Sequence, residues 1–416
     1  MAILYILLPL SFLFALFFAS QGVIQNFKPN QRVDLLQALT YSEPGVAGQP
    51  KMKTTTLMQQ VLPMGPVASS LAIEQLAVNG GGFFNVNNAH PYENPSPLTN
   101  FFEVLATLVI PAAFCYTFGI LVGDRRQGWA ILIAMLLIYV PCVYLGSIAE
   151  QQGNPALHSM GIDPAPQALL YPGGNMEGKE TRFGIINSSI YAYAATAAAS
   201  GSNNAMVDSL MPLGNLFAIW LMHTGEIVFG GTGSGLYGML MFVLMTVFIA
   251  GLMVGRKPEY LGKKIDVYEM KMASFSVLVM PIAVLLLTAL ALMIPTGVSA
   301  IGNPGAHGFT EILYTFTSLV STNGGSMGGL NSNTPFYNVV GGLAMFVGRY
   351  WTAIPTLAIA GSLARKKGTP ANAGTVLTYT PLFTFLLVGI AIILGALTFF
   401  PALSLGPVAE HLMLWK

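Results

Sequence analysis

Charged residues are scarce in this sequence. Asp, Glu, Lys and Arg together make up 8% of its 416 residues, whereas soluble domains carry about a quarter. Hydrophobic residues make up 54%, and the mean hydropathy is +0.63. The formal net charge of +1 provides no basic field that could hold a nucleic acid. The composition therefore excludes an ordinary soluble domain and indicates an integral membrane protein.

Motifs for nucleotides and metals are also missing. The sequence contains no phosphate-cradling GxxxxGK[ST] motif, so any ATP would be bound elsewhere. Cys115 and Cys142 lie in apolar stretches without zinc spacing or a disulfide framework, and we expect both to be packing residues. The histidines lack HExxH spacing, which predicts surface or packing roles for His90, His158, His223, His307 and His411.

Three polar, glycine-centred segments stand out between the apolar stretches. They are Asn79-Gly80-Gly81-Gly82, Ser200-Gly201-Ser202 and Thr322-Asn323-Gly324-Gly325. Because glycine tolerates positive φ, such segments can turn successive carbonyls toward one axis and replace the hydration shell of a potassium ion. Gly201 follows Gly80 by 121 positions, and Gly324 follows Gly201 by 123. This near-constant period predicts tandem pore units whose filters bind potassium and no other metal.

The apolar runs can be matched to a bilayer, which needs about 20 apolar residues per helix. The predicted spans are Ile3–Ile24, Leu98–Val122, Ala130–Ile148, Leu210–Phe229 continuing as Leu236–Val254, Ala273–Ile294, Val339–Ala364 and Pro381–Phe400. Shorter segments between them are predicted to enter and return as pore helices: Gly65–Val78, Phe183–Ala199 and Gly308–Ser321. Ile3–Ile24 could instead be a signal peptide, but no positive charge precedes its apolar core.

Basic residues test this layout independently. Ten of them fall in short loops on one predicted face, which the positive-inside rule makes cytoplasmic: Arg125, Arg126, Arg256, Lys257, Lys263, Lys264, Lys271, Arg365, Lys366 and Lys367. The filter loops and the long connections, such as Gln25–Pro63, are expected to face outside. In the segment Asn175–Glu180, a solvated turn is favoured over a cation-attracting outer mouth.

Two features near the filters are gating candidates. Arg349 lies inside the span Val339–Ala364, where a fixed charge is costly, so it is either an electrostatic gate or one half of a structural ion pair. Glu226 precedes a glycine-rich stretch that is predicted to interrupt a long helix, with Gly230, Gly231, Gly233 and Gly235. This stretch is either a gating loop that lines the ion path or a kink that lets helices pack closely.

The sequence resembles the potassium-binding A subunit of the Kdp potassium-transporting ATPase (the KdpA family). The strings that carry the resemblance are Gln60–Ser69, Asn79–Asn85, Gly123–Gly128, Gly255–Asp266 and Phe400–Glu410. The resemblance covers nearly the whole chain. It implies an all-α integral membrane protein of the channel-like potassium transporter superfamily, with tandem helix–pore loop–helix units and a C-terminal transmembrane helix.

The resemblance also implies partners and a role. The chain would be a non-catalytic subunit that passes potassium to a P-type ATPase catalytic subunit (KdpB-like), which binds ATP and Mg²⁺, with small accessory subunits (KdpC-like and KdpF-like). It would lie in the bacterial cytoplasmic (inner) membrane and bind no cofactor itself. Alternatives are a stand-alone potassium channel or secondary transporter of the same superfamily, or a non-conducting fragment.

The pattern departs from the family in two places. Family members have four pore units, whereas three are predicted here, at residues 1–126, 127–266 and 267–368, before a C-terminal helix at 369–416. The first unit of the family is expected to be supplied by another chain, lost, or cut off by a misplaced start. Residues Ser202-Asn203-Asn204 are more polar than the family pattern, which puts the geometry of that filter in doubt.

Overall fold

The chain is built almost entirely from helices. The computed structural model describes residues 2–43, 53–84, 86–161, 173–253, 255, 258–368 and 375–416. The predicted inner residues Arg256 and Lys257 lie outside these ranges. The helices are α1 (Leu8–Ser20), α2 (Val67–Ala77), α3 (Pro97–Leu121), α4 (Arg125–Gln151), α5 (Pro155–Ser159), α6 (Gly184–Ala197), α7 (Pro212–His223), α8 (Ser234–Met253), α9 (Val267–Met293), α10 (Pro295–Val298), α11 (Ala306–Ser321), α12 (Pro335–Arg365), α13 (Pro381–Leu403) and α14 (Ala409–Leu414).

Local sequence explains where the long helices begin. Ser96 and Thr99 form a capping box at the start of α3, and Asp266 and Glu269 form another at the start of α9. Each box satisfies backbone amides that have no partner inside the helix. Thr334 caps α12 in a related way by accepting from the Tyr337 amide. Polar caps therefore mark the points where the chain enters its apolar spans.

Seven helical stretches in the described part of the chain are long and apolar enough to cross a membrane. They are Ile3–Ser20, Pro97–Leu121, Arg125–Leu157, Ser234–Met253, Val267–Met293, Pro335–Arg365 and Pro381–Leu414. The span predicted as Leu210–Phe229 continuing as Leu236–Val254 is divided, as the glycine-rich stretch indicated. Its first part, α7, has 12 residues, which gives a length of about 18 Å against a hydrocarbon core of about 30 Å. Its second part, α8, is by itself long and apolar enough to cross.

Three shorter helices, α2, α6 and α11, have 11, 14 and 16 residues. Each lies in sequence between longer apolar helices, and each ends at one of the glycine-centred segments. The last two are deeply buried; Tyr193 of α6 and Tyr314 of α11 are fully enclosed. Backbone that enters a membrane and returns is stable only when protein or water covers it. The predicted boundaries of the tandem units remain a prediction.

An antiparallel hairpin interrupts the helical pattern. Strand β1 (Gln31–Glu43) pairs with β2 (Lys53–Leu62), from Gln31 opposite Leu62 to Glu43 opposite Lys53. It occupies the segment that the sequence indicated only as a long outer connection. A second, very short hairpin joins β3 (Glu259–Tyr260) and β4 (Lys263–Lys264) before α9. The all-α fold class is confirmed for the membrane-embedded body, and the strands are confined to connections.

Candidate functional site

The three glycine-centred segments begin with the same backbone turn. A residue with φ of +55° to +60° closes each pore helix, and the glycine two positions later has φ of +61° to +97°. The pairs are Val78 and Gly80, Ala199 and Gly201, and Thr322 and Gly324. The amide between them donates to a carbonyl five residues earlier: Asn79 to Glu74 (3.1 Å), Ser200 to Ala195 (3.0 Å) and Asn323 to Ser318 (2.9 Å). The sequence repeat is thus also a repeat of conformation.

These segments come into direct contact with one another. A Cβ atom at Gly80 would lie 1.2 Å from the Ser200 carbonyl oxygen. A Cβ atom at Gly201 would lie 2.4 Å from the Asn323 carbonyl oxygen. Only glycine fits at either position, because any side chain would displace the neighbouring backbone. The first segment therefore packs on the second, and the second packs on the third.

One side of this arrangement is open. Among the described residues, no atom lies within 4 Å of a Cβ built on Gly324, which corresponds to Gly80 and Gly201 in the other segments. Inside the arrangement, the Asn323 side chain donates to the Ala195 carbonyl (3.0 Å) and accepts from the Gly325 amide (3.1 Å). The third segment is thus fixed on the side of the second and exposed on its other side.

A buried polar network stands behind the second segment. Ser202 Oγ lies 2.7 Å from Asn88 Oδ1, 2.6 Å from the Tyr191 hydroxyl and 3.2 Å from Gln75 Nε2. Glu103 Oε2 accepts from Asn88 Nδ2 (2.9 Å) and from the Tyr191 hydroxyl (3.1 Å). The polar departure at Ser202 is therefore matched by polar residues on α2, α3 and α6. Glu103 was not predicted from the sequence, although a carboxylate inside an apolar span is itself a signal of function.

Glu93 holds the chain that follows the first segment. Its carboxylate accepts from the Phe83 amide (2.5 Å) and the Phe84 amide (3.3 Å). Burial raises the pKa of Glu93 to about 7, although both backbone hydrogen bonds oppose that rise. A Cβ at Gly82 would lie 2.8 Å from this carboxylate. The loop between α2 and α3 thus fixes the outer end of the first segment.

A cavity of about 350 Å³ lies at the ends of the three pore helices. It is lined by Val78, Asn79, Ala199, Gly231, Thr232, Gly233, Ser234, Tyr237, Thr322 and Arg349, together with Ala77. Because helix C-termini carry partial negative charge, this cavity favours a cation. A second cavity, of about 200 Å³, shares Ser234, Tyr237, Thr322 and Arg349 and extends to His223 and Glu226. The two cavities therefore adjoin each other at these shared residues.

Four of the six predicted gating residues line these cavities: Glu226, Gly231, Gly233 and Arg349. The break between α7 and α8 begins at Thr224, earlier than the predicted glycine stretch, and ends before Ser234. The Gly230 amide donates to the Ala197 carbonyl (3.0 Å) of the second pore helix. Gly235 packs so closely that a Cβ would lie 1.8 Å from the Phe229 carbonyl oxygen. The break is therefore a compact loop that packs against the end of α6.

Two non-glycine residues in this loop have positive φ, Glu226 at +53° and Phe229 at +62°. Such backbone costs about 1–3 kcal/mol per residue and persists where the surroundings enforce it. Glu226 is buried, and its Oε1 has no hydrogen-bond partner among the described residues. Arg349 is exposed, and no carboxylate lies within 4 Å of its guanidinium in the part of the chain that the structure describes. Arg349 therefore forms no salt bridge there, but its charge acts on the Glu226 carboxyl at longer range, and both the gate and the structural pair remain predictions.

The solvated turn predicted for Asn175–Glu180 is present at Glu177 and Gly178, which are exposed, but the prediction is wrong for Asn175 and Lys179, which are buried. Lys179 Nζ lies 2.8 Å from Glu150 Oε2, and both side chains are fully buried. Asn175 is also buried, and its Nδ2 donates to Glu150 Oε2 (2.9 Å). Glu150 further accepts from the Met211 amide (2.6 Å). The segment anchors the outer connection to α4 and to the start of α7.

These features define a class of protein: a multi-pass α-helical membrane protein in which three short helices end in similar glycine-centred turns, each in contact with the next. Comparison with known proteins agrees with this class. The family model described as "Potassium-transporting ATPase A subunit" (KdpA) matches residues 1–412. The chain belongs to this family.

Relatives with known names cover almost all of the chain. A protein from Methylococcus capsulatus is 57% identical over 99% of this chain and 70% of its own length. One from Sorangium cellulosum is 58% identical over 98% of this chain and 69% of its own. One from Herpetosiphon aurantiacus is 54% identical over 99% and 69%. Each is named "Potassium-transporting ATPase potassium-binding subunit".

Proposed function

We propose that this chain binds potassium with the main-chain carbonyls of its three converging segments and passes the ion to an ATP-driven pump subunit. The observation that carries the proposal is the contact of Gly80 with Ser200 and of Gly201 with Asn323 between three identical backbone turns. Carbonyls held in this way can replace the water around a monovalent cation. The names of the relatives support potassium as that cation.

The proposed ring of carbonyl ligands requires one more segment. Gly80 and Gly201 are each covered by the next segment, whereas Gly324 faces open space among the described residues. Loss of one set of ligands would weaken both the compensation for dehydration and the discrimination between ions. A further segment that lies against Gly324, whichever chain supplies it, completes the site.

Below the filter, the ion passes sideways from the cavity at the pore-helix ends into the neighbouring cavity. The cavity at the pore-helix ends receives the ion, and the loop from Thr224 to Gly233 with Arg349 controls its passage into the neighbouring cavity. The strained backbone of that loop and the exposed charge of Arg349, which acts on Glu226, support a gating role. This chain contributes no catalytic residue in the proposed mechanism, because the partner subunit binds ATP and Mg²⁺.

The partners, the membrane and the orientation are proposed from the family and from the positions of the basic residues. The partners are a P-type ATPase subunit (KdpB-like) and the small subunits (KdpC-like and KdpF-like), in a bacterial cytoplasmic membrane. The basic loops, such as Arg125–Arg126 and Arg365–Lys367, face the cytoplasm. The filter segments then face outside, and potassium enters from there.

Two measurements test this function. Potassium should raise the thermal unfolding temperature of the purified complex in detergent, and sodium at the same concentration should not, because only the ion that fits the carbonyls stabilises the folded state. A non-conducting fragment predicts no such difference. Potassium uptake should require ATP and the co-expressed ATPase subunit, whereas uptake without them would support the stand-alone channel or secondary transporter.

A further inference from the structure

A charged cluster lies near the filter segments but was not predicted from the sequence. Its members are Asp208, His307, Glu311 and Glu410, which we call the His307 cluster. His307 Nε2 lies 3.1 Å from Asp208 Oδ1, and His307 Nδ1 lies 2.7 Å from Glu410 Oε1. Glu311, fully buried, lies 4.0 Å from His307 Nε2. The imidazole is therefore the centre of the cluster.

The cluster joins the outer ends of two filter segments. Asp208 follows Ser202 of the second segment by six residues. His307 and Glu311 begin helix α11, whose other end carries the third segment. The chain that leaves the third segment returns to the same place, because a Cβ at Gly329 would lie 2.1 Å from Glu311 Oε1. The chain beyond the second segment, the chain beyond the third segment and the start of α11 are thus tied to one group of side chains.

Hydrogen bonds make this connection stiff. Glu311 accepts from the Gly302 amide (3.2 Å), the Asn303 amide (3.2 Å) and Asn303 Nδ2 (2.8 Å). Asn303 Nδ2 also donates to Asp208 Oδ2 (3.3 Å). Burial alone would lower the pKa of His307, but hydrogen bonds to Asp208 and Glu410 raise it to about 10. His307 is therefore charged at neutral pH, and its bonds to carboxylates are of the stronger, charge-assisted kind.

We propose that the His307 cluster sets the spacing between the second and third filter segments, so that Asp208, His307 and Glu410 are positioning residues for potassium selection. Within the segments, that spacing is fixed by the contact of Gly201 with Asn323, where no side chain fits. At the outer end, the same two segments are held by the cluster. Binding geometry must be kept within about 0.5 Å, so loosening one end of the pair degrades affinity and discrimination. The proposal rests on the proposed filter function.

The test uses the complete transport complex in membranes and follows rubidium uptake against potassium and sodium competition. His307→Gln and Glu410→Gln each remove a charge with little change of shape, and the double variant removes both. His411→Gln, next to Glu410 and outside the cluster, is the matched control. We expect His307→Gln and Glu410→Gln to raise the half-saturating concentration at least threefold and to reduce potassium-over-sodium discrimination, with the maximal rate per complex within twofold. Because the two residues act through one contact, the double variant should be no worse than the more severe single variant.

Several results would overturn the proposal. Unchanged half-saturation and discrimination in both single variants would do so, as would an equal effect of His411→Gln. A lower amount of complex with normal transport per complex would assign the cluster to folding alone, and so would loss of assembly in both variants. Gly201→Ala, measured beside them, separates this failure from failure of the filter itself. If Gly201→Ala destroys discrimination while the cluster variants do not, the filter function stands and the positioning role falls.

Discussion

The close approach of the filter segments makes Gly201→Ala the most informative perturbation. A Cβ at this position would lie 2.4 Å from the Asn323 carbonyl oxygen, so the oxygen must move by about 1 Å to reach an ordinary contact of 3.4 Å. Overpacking of this kind costs roughly 1–3 kcal/mol. The positive φ of Gly201, +70°, adds about 1–2 kcal/mol for a residue with a Cβ. The displaced atom is one of the proposed potassium ligands.

A matched control separates these two costs. Gly123, in the turn between α3 and α4, has φ of +77° and no atom within 4 Å of its Cβ position. Gly123→Ala therefore has the backbone cost without the overlap. Rubidium uptake with potassium and sodium competition, measured on the assembled complex, should show near-normal half-saturation for Gly123→Ala. Gly201→Ala should raise it by roughly 5- to 150-fold, the equivalent of 1–3 kcal/mol, and reduce discrimination against sodium.

The outcome that would refute this reasoning is specific. If Gly201→Ala and Gly123→Ala have the same small effect on half-saturation and discrimination, the contact between the second and third segments does not set the ion site. Gly80→Ala provides an independent check, since its Cβ would lie 1.2 Å from the Ser200 carbonyl oxygen and should be at least as damaging. Normal transport by both filter variants would remove the basis for the filter assignment.

Four further predictions address other parts of the site. Gly324→Ala should impair discrimination as severely as the filter substitutions above if a further segment lies against it; a mild effect would contradict closure on that side. Arg349→Ala should change the transport rate without loss of expression, by up to about 30-fold if the ion passes roughly 8 Å away, where a fixed charge contributes about 2 kcal/mol at an effective dielectric constant of about 20; loss of expression instead would indicate a structural role. Lys179→Met should lower the stability of the detergent-solubilised complex by about 3–5 kcal/mol, because Glu150 is left buried and unpaired; in thermal unfolding, a loss below about 1 kcal/mol would contradict this. Glu93 has a pKa raised from 4.5 to about 7, so the folded state binds its proton more tightly and the stability of the complex falls as pH rises through that range. Glu93→Gln should make the stability from unfolding curves less dependent on pH there, and an unchanged dependence would contradict this.

The sequence predicted those features that depend on local pattern. Apolar runs of sufficient length identified all seven of the long apolar stretches in the described residues, because hydrocarbon thickness fixes span length. The glycine repeat identified three segments that the structure brings together, because positive φ at a fixed position strongly favours glycine. Their potassium-binding role remains a prediction. The early end of α7 at His223 was missed, since Gly225 is a single glycine that the apolar run Ile227–Phe229 follows.

Features that depend on distant contacts were not predictable. Asp208 and His307 are 99 positions apart, and Glu410 lies a further 103 beyond His307. No local pattern links them, because their pairing depends on the packing of α11 against the end of α13 and α14. The buried pair of Lys179 and Glu150 was likewise hidden, since a charged segment in sequence usually indicates a solvated turn.

Costly positive φ occurs on non-glycine residues both at the filter segments and in the loop between α7 and α8. At the segments these residues are Val78, Ala199 and Thr322, and in the loop they are Glu226 and Phe229. Such backbone persists only where the surroundings enforce it. The glycines differ in what they contact. At Gly80 and Gly201 the missing side chains let one segment touch the next, whereas the close approach of Gly230 is to backbone of the loop itself. The contacts between segments would hold the proposed ion ligands at a fixed spacing, which discrimination between ions requires.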